Sequence, residues 1–232
     1  MNDRARTSLL PEPIDLPDWF SPLLVALNND QSESLLRFAK PDDVVARESS
    51  VLVLFGQAAT GGPDVLIIER ASDMRSHAGQ PAFPGGADEP GDATPIATAL
   101  REAQEETGLN PQGVAVVATL PLMWLPPSGF VVTPVLAWWR DPSPVYAADP
   151  REVESVHRIA IAELVNPLNR VRVSHPAGYI GPGFEVNGLL IWGFTAMLLD
   201  GIFRLAGWNQ EWESEARTVP FDDGWRALSA GG

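Results

Sequence analysis

The chain contains no cysteine. That excludes disulfides, a thiol nucleophile and any zinc–thiolate site, and it fits a reducing cytoplasm. Positive charge is scarce: 16 Lys and Arg face 30 Asp and Glu, for a net charge of −14. Such a chain is a poor general binder of nucleic acid, and no basic recognition helix is visible. A polyanionic substrate would have to be drawn in by local arginines and metal, against the overall field. No secretory leader is evident, because Met1-Asn-Asp-Arg-Ala-Arg adjoins no apolar run and Pro11 and Pro13 follow. The apolar stretch ending at Leu205 is interrupted by Asp200-Gly201 and is too short to span a bilayer. There is no internal repeat. These absences lead to the expectation of a cytoplasmic protein with neither nucleic acid nor membrane as a partner.

What is present is one strongly organised stretch, from Phe83 to Leu109. Pro84, Gly85 and Gly86 break regular structure, and paired glycines let a ligand approach the main chain. Thr94 is placed to cap a helix with Pro95 at its first position. Ile96 to Thr107 hold no breaker, and Gly108 ends the run. On that helix Glu102, Glu105 and Glu106 fall at i, i+3 and i+4, so one face carries all three. Like charges so placed repel, and a hard divalent cation would reverse the sign of the interaction. A glutamate run is ordinarily a solvated face. The glycine loop, Arg101 and the small apolar residues Ala97, Ala99, Leu100 and Ala103 opposite weigh against that here.

Arg101-Glu-Ala-Gln-Glu-Glu-Thr-Gly-Leu109 resembles the second half of the Nudix box, G-x5-E-x7-R-E-U-x-E-E-x-G-U, where U is a bulky aliphatic. The first half departs from it. Gly86 lies 15 residues before Arg101 rather than 14, and Asp92 stands where the first glutamate is expected. That expansion looks like the coenzyme A diphosphatase branch. The preceding segment, Leu66 to Gly86, is similar to that branch's signature L-L-T-x-R-[SA]-x3-R-x3-G-x3-F-P-G-G. Arg70, Ala71, Arg75, Gly79, Phe83, Pro84, Gly85 and Gly86 are in register, and Ile67 and Ile68 replace Leu and Thr. Two adjoining motifs in register form a far more specific signal than an acidic helix alone.

Residues 16–28 read as an amphipathic helix with Trp19, Phe20, Leu23, Leu24 and Leu27 in one stripe, docked on the core or on a partner subunit. Residues 50–56, 64–70, 113–120 and 130–139 read as strands. The loop 121–129 between the last two carries Met123, Trp124 and Leu125, candidates for contact with an adenine or a pantetheine arm. His77 reads as a loop hydrogen-bonder. Ser128 to Val135, Arg151 to Leu164 and Leu189 to Ala196 again look like the branch, and the run to Leu205 reads as a second packing helix. Glu152 is a candidate acid from outside the helix. Three parts are expected: an N-terminal extension over 1–47, a Nudix hydrolase domain over 48–206 and a C-terminal extension over 207–232. In the last, Trp208, Trp212, Phe221 and Trp225 suggest packing, or the interface of a homodimer.

The periodicity indicates an α/β fold, a mixed sheet flanked by helices, and the resemblance sharpens this to the Nudix α/β/α sandwich. The resemblance also implies a hydrolase that splits coenzyme A or acyl-coenzyme A into 3′,5′-ADP and (acyl-)4′-phosphopantetheine with Mg2+ or Mn2+. The implied metal ligands are Glu102, Glu105 and Glu106, with Arg101 beside them. Arg70 and Arg75 are the expected phosphate binders, and Gly85 and Gly86 are expected to turn backbone amides to the phosphates. Two rivals stand beside this reading: a Nudix hydrolase of ADP-ribose, a dinucleotide such as NADH, or a nucleoside triphosphate, and a non-catalytic nucleotide-sensing Nudix domain.

Overall fold

Apolar runs without polar interruption mark strands buried on both faces, and the computed structural model shows this arrangement. It describes residues 7–9, 15–29, 31, 35, 45–58, 61–73, 78–125, 129–175, 178–213 and 216–221. The N-terminal part supplies β1 (Ser8–Leu9) and α1 (Ser21–Asn28). Next come β2 (Arg47–Gln57), β3 (Pro63–Arg70), β4 (Pro81–Ala82) and β5 (Gly85–Ala87), leading into α2 (Pro95–Thr107). Then follow β6 (Val114–Thr119), β7 (Met123–Leu125), β8 (Phe130–Trp139), β9 (Val153–Ala160) and the short α3 (Ile161–Val165). The chain continues through β10 (Arg170–Ser174), β11 (Ile180–Val186), β12 (Leu189–Ile191), α4 (Gly193–Leu205) and β13 (Thr218–Pro220).

The main sheet runs β1-β6-β8-β2-β3-β4, with β5 on β2, β7 on β8 and β9 on β3. It is mixed: β2 and β8 pair in parallel from Arg47↔Phe130 to Phe55↔Trp138, while β2–β3, β3–β9 and β6–β8 are antiparallel. Side chains alternate between its faces. Leu52, Leu54, Leu66, Val135, Ala137 and Trp139 pack with Ala99, Ala103 and Leu109 around α2. Val53, Phe55, Val65, Ile67, Leu136 and Trp138 face the other way, into a larger core. That core takes Phe20, Leu23 and Leu27 from the α1 region, Leu198, Leu199, Ile202 and Phe203 from α4, and Phe184 and Ile191 from a second sheet ordered β12-β11-β10-β13.

The expected α/β sandwich is therefore present, with three refinements. First, the N-terminal amphipathic helix docks on this chain's own core. Second, Met123 and Trp124 are buried in β7 and pair with Val132 and Val131, so the segment read as a substrate-contacting loop is sheet. Third, Leu189–Ile191 form a strand, and the second packing helix starts only at Gly193. Among the described residues no helix is long and apolar enough to cross a membrane.

Candidate active site

Helix α2 begins and ends as its sequence dictates. Thr94 accepts the Ala97 N–H at 3.2 Å, Pro95 follows, and Gly108 closes the helix in the left-handed region at φ 67°. Its packed face puts Glu106 beneath the β2–β5 pairing. There the Gly85 N–H donates to Glu106 Oε2 at 2.9 Å. The Arg70 Nη1 stands 3.9 Å from Glu106 Oε1. Only 2% of Glu106 is exposed, and burial pushes its carboxyl up to about 8; the Gly85 amide and Arg70 oppose that shift, and Glu102 and Glu152 add to it. Glu102 lies one turn earlier against Gly86, where any side-chain carbon would overlap its carboxylate. Burial raises its pKa too, against Arg101 and with help from Glu105 and Glu152.

Arg101 gathers the loop before the helix. Its Nε and Nη2 both reach Asp92, at 3.2 and 2.9 Å, and Nη2 also donates to the Ala87 carbonyl at 3.2 Å. Asp92 further accepts the Thr98 hydroxyl and the Glu89 N–H, each at 3.0 Å. These bonds, the Arg101 guanidinium first among them, hold the Asp92 carboxyl down at about 2. The residue that departs from the family pattern is thus the lock that fixes Arg101.

Of the expected site residues, Arg70, Gly85, Gly86, Glu102 and Glu106 come together. Glu105 does not join them: its side chain is 59% exposed and bonds Arg101 Nη1 at 3.0 Å. Arg75 and His77 lie outside the described residues. The Gly85 amide is engaged with Glu106 rather than turned toward a phosphate. Glu152 enters through the backbone: its carbonyl accepts the Ala71 N–H at 2.8 Å, just past the irregularity in the β3–β9 ladder between Glu69 and Arg70. The shift sets Glu154 as the extra residue between Ser155, opposite Glu69, and Val153, opposite Arg70, and a bulge of this kind re-aims the side chains beside it, Arg70 among them. Nothing in the local sequence marks that irregularity. The segment ahead of Glu152 also braces the helix, Ala148 N–H bonding the Glu106 carbonyl and Tyr146 N–H that of Thr107, each at 3.0 Å.

The donor set is all carboxylate oxygen. Among the described residues no three His, Asp or Glu side chains are gathered into a cation cluster as they stand. Yet Glu102 and Glu106, both desolvated and both under the field of Glu152, form an arrangement that a hard cation such as Mg2+ or Mn2+ would relieve. The residues fit that group.

A model of the NUDIX domain matches residues 46–178, more than half of the chain. The chain belongs to the Nudix family. The uncharacterized Nudix hydrolase NudL of Citrobacter koseri is 36% identical over 160 residues, which cover 66% of this chain and 79% of that protein. The protein of the same description from Klebsiella pneumoniae is 35% identical over 185 residues, 75% of this chain and 92% of its own. The crystal structure of a Nudix hydrolase from M. smegmatis, RenU, aligns with a TM-score of 0.47 at 17% identity, covering 69% of this chain and 86% of that one. Family membership and relatives described as Nudix hydrolases identify an enzyme, a Nudix pyrophosphohydrolase. Nudix hydrolases act on small nucleotide substrates and generally use divalent cations.

Proposed function

We propose that this Nudix enzyme hydrolyses the pyrophosphate linkage of coenzyme A or its thioesters, releasing 3′,5′-ADP and 4′-phosphopantetheine or its acyl form. The observation that supports this reading is the approach of Arg70 to Glu106 at 3.9 Å. It sets the arginine of the upstream signature, the element resembling the coenzyme A branch, against the buried carboxylate of the acidic helix.

Glu102 and Glu106 would hold Mg2+ or Mn2+, with Glu152 as the carboxylate to complete the set. When bound, the ion offsets negative charge on the pyrophosphate oxygens. Arg70 presents a planar guanidinium to a phosphate, which suits two-point contact. Arg75 is proposed to act with it, on the 3′-phosphate that distinguishes coenzyme A. Arg101, held by Asp92, fixes the loop over Glu102. Glu105, at the exposed edge, takes the proton of the attacking water as its oxygen bonds to phosphorus. The bridging P–O bond breaks and its electron pair leaves with the bridging oxygen.

The test is a product assay with magnesium or manganese, offering coenzyme A, an acyl-coenzyme A, ADP-ribose and NADH in parallel and identifying products by mass. Appearance of 3′,5′-ADP from coenzyme A far faster than AMP from the others is the expected result. Faster turnover of ADP-ribose or NADH would overturn the substrate assignment, and binding without turnover under either metal would turn the reading toward a nucleotide sensor.

A further inference from the structure

Ring pairs in the main core meet edge to face or tilted: Trp19–Phe55 at 75°, Phe20–Phe55 at 83°, Phe55–Trp208 at 87° and Phe184–Phe203 at 81°, with Trp19–Phe20 at 37° and Phe203–Trp208 at 43°. One group is built differently. On the outer face of the second sheet, Trp192 and Phe221 stack at 3.9 Å and 28°. His175 lies nearly parallel to Phe221, 9° at 5.7 Å, and Tyr179 stacks on His175 at 4.5 Å and 10°. His175 is also 5.8 Å from Trp192 at 20°, so three rings from separate segments form one cluster, and Tyr179 extends it as a short column through His175.

The two ends of that column differ. Trp192 and Phe221 rest on Val171, Val173, Leu190 and Val219, a buried apolar patch that fixes the base. Tyr179 is 48% exposed. One face of its ring is occupied by His175, and a flat aromatic surface so backed is a ready partner for a further planar ring.

The column is also tied to the active site through the chain. Trp192 immediately precedes α4, and the Thr195 hydroxyl of that helix donates to the Pro81 carbonyl at 3.3 Å. Pro81 pairs with Glu69, the residue before Arg70. Through these contacts the segment that carries Trp192 is joined to the strand that carries Arg70.

We propose that the column is a base-stacking platform, with Tyr179 receiving the purine ring of the nucleotide substrate. This rests on the reading of the protein as a nucleotide pyrophosphohydrolase and adds to it the place where the base is held. Stacking of this kind reads ring area rather than hydrogen-bond pattern, so purines are favoured over pyrimidines without selection among purines.

The test is calorimetric titration of the metal-free protein with AMP, CMP and ribose 5-phosphate, for the wild type, Tyr179→Ala and Tyr179→Phe. The expected result is AMP affinity reduced about fivefold or more by Tyr179→Ala and retained by Tyr179→Phe, with CMP weaker than AMP and ribose 5-phosphate equal in all three proteins. Equal AMP affinity in wild type and Tyr179→Ala, or no AMP binding to the wild type, overturns the proposal. Tyr179→Phe keeps the ring on His175 and should melt as the wild type does, and thermal melts of Tyr179→Ala separate a loss of binding from a loss of fold. Because the titration needs neither metal nor turnover, its outcome is separate from the product assay. Failure to cleave coenzyme A with AMP still bound at Tyr179 would sink the substrate assignment alone.

Discussion

Asp92 holds Arg101 through both Nε and Nη2, and this pair rather than the glutamates fixes the loop over the acidic helix. Folding lowers the Asp92 pKa from 3.8 to about 2. A carboxylate so shifted contributes stability that is fully present above the unfolded value and lost as pH falls through the folded one. Asp92→Asn should therefore melt at a lower temperature than the wild type at pH 6, and the gap should close as pH falls from about 4 toward about 2. Melting curves of both proteins across that range check it; a gap that stays constant would show that the pair does not titrate as described.

Glu106→Gln should lower turnover by at least about 100-fold, since the variant loses the carboxylate that a cation would hold ionised while its amide oxygen can still accept from the Gly85 N–H. The fold should be intact, and without metal the variant should melt no lower than the wild type, because a buried carboxylate under the field of Glu102 and Glu152 is costly to ionise. Steady-state kinetics and thermal melts in chelator test both halves. Near-wild-type turnover would remove Glu106 from the site.

Gly86→Ala should be damaging, since the added carbon meets the Glu102 carboxylate and must displace it. Gly91→Ala, with open space around the position, should behave as wild type. A fall in rate of about 10-fold or more is expected for the first, as for other displacements of a positioned group. Rate assays on the two variants settle the matter, and equal rates would mean that Glu102 is not held by its fit against Gly86.

The N-terminal segment is part of the core. Phe20 is fully buried, meeting Phe55 at 5.9 Å and Trp19 at 4.9 Å. Phe20→Ala should cost about 3–5 kcal/mol, the usual range for an aromatic removed from a packed interior. Denaturant unfolding would measure it; a loss below about 1 kcal/mol would mean that the segment docks only loosely.

Much of this was legible in the sequence because it depends on short-range rules. Thr94, Pro95 and Gly108 set the ends of α2 by local hydrogen bonding and backbone freedom. The apolar runs gave the long strands. What stayed hidden depends on competition between side chains and on pairings distant in sequence. Spacing placed Glu102, Glu105 and Glu106 on one helix face, yet Arg101, four residues before Glu105, claims that carboxylate. The segment Met123–Leu125 is too short for its alternation to declare a strand, and only the partner β8 makes it one. Asp92 read as a departure from a pattern because its meaning lies in the reach of Arg101 across the loop.

The small sheet is ordered β12-β11-β10-β13, and its last strand runs parallel to β10. Arg170 lies between the rings of Phe184 and Trp212, at 4.2 and 4.1 Å, and is paired with Asp200. Trp212 and β13 leave the ribosome after everything they cover. During synthesis, then, the acidic helix and its carboxylates can reach their places while Arg170 still has one face bare and β10 an open edge. A chain cut before residue 212 would keep the strands and helix that carry Glu102 and Glu106, and would lose the ring over one face of Arg170 and the strand that covers the edge of β10.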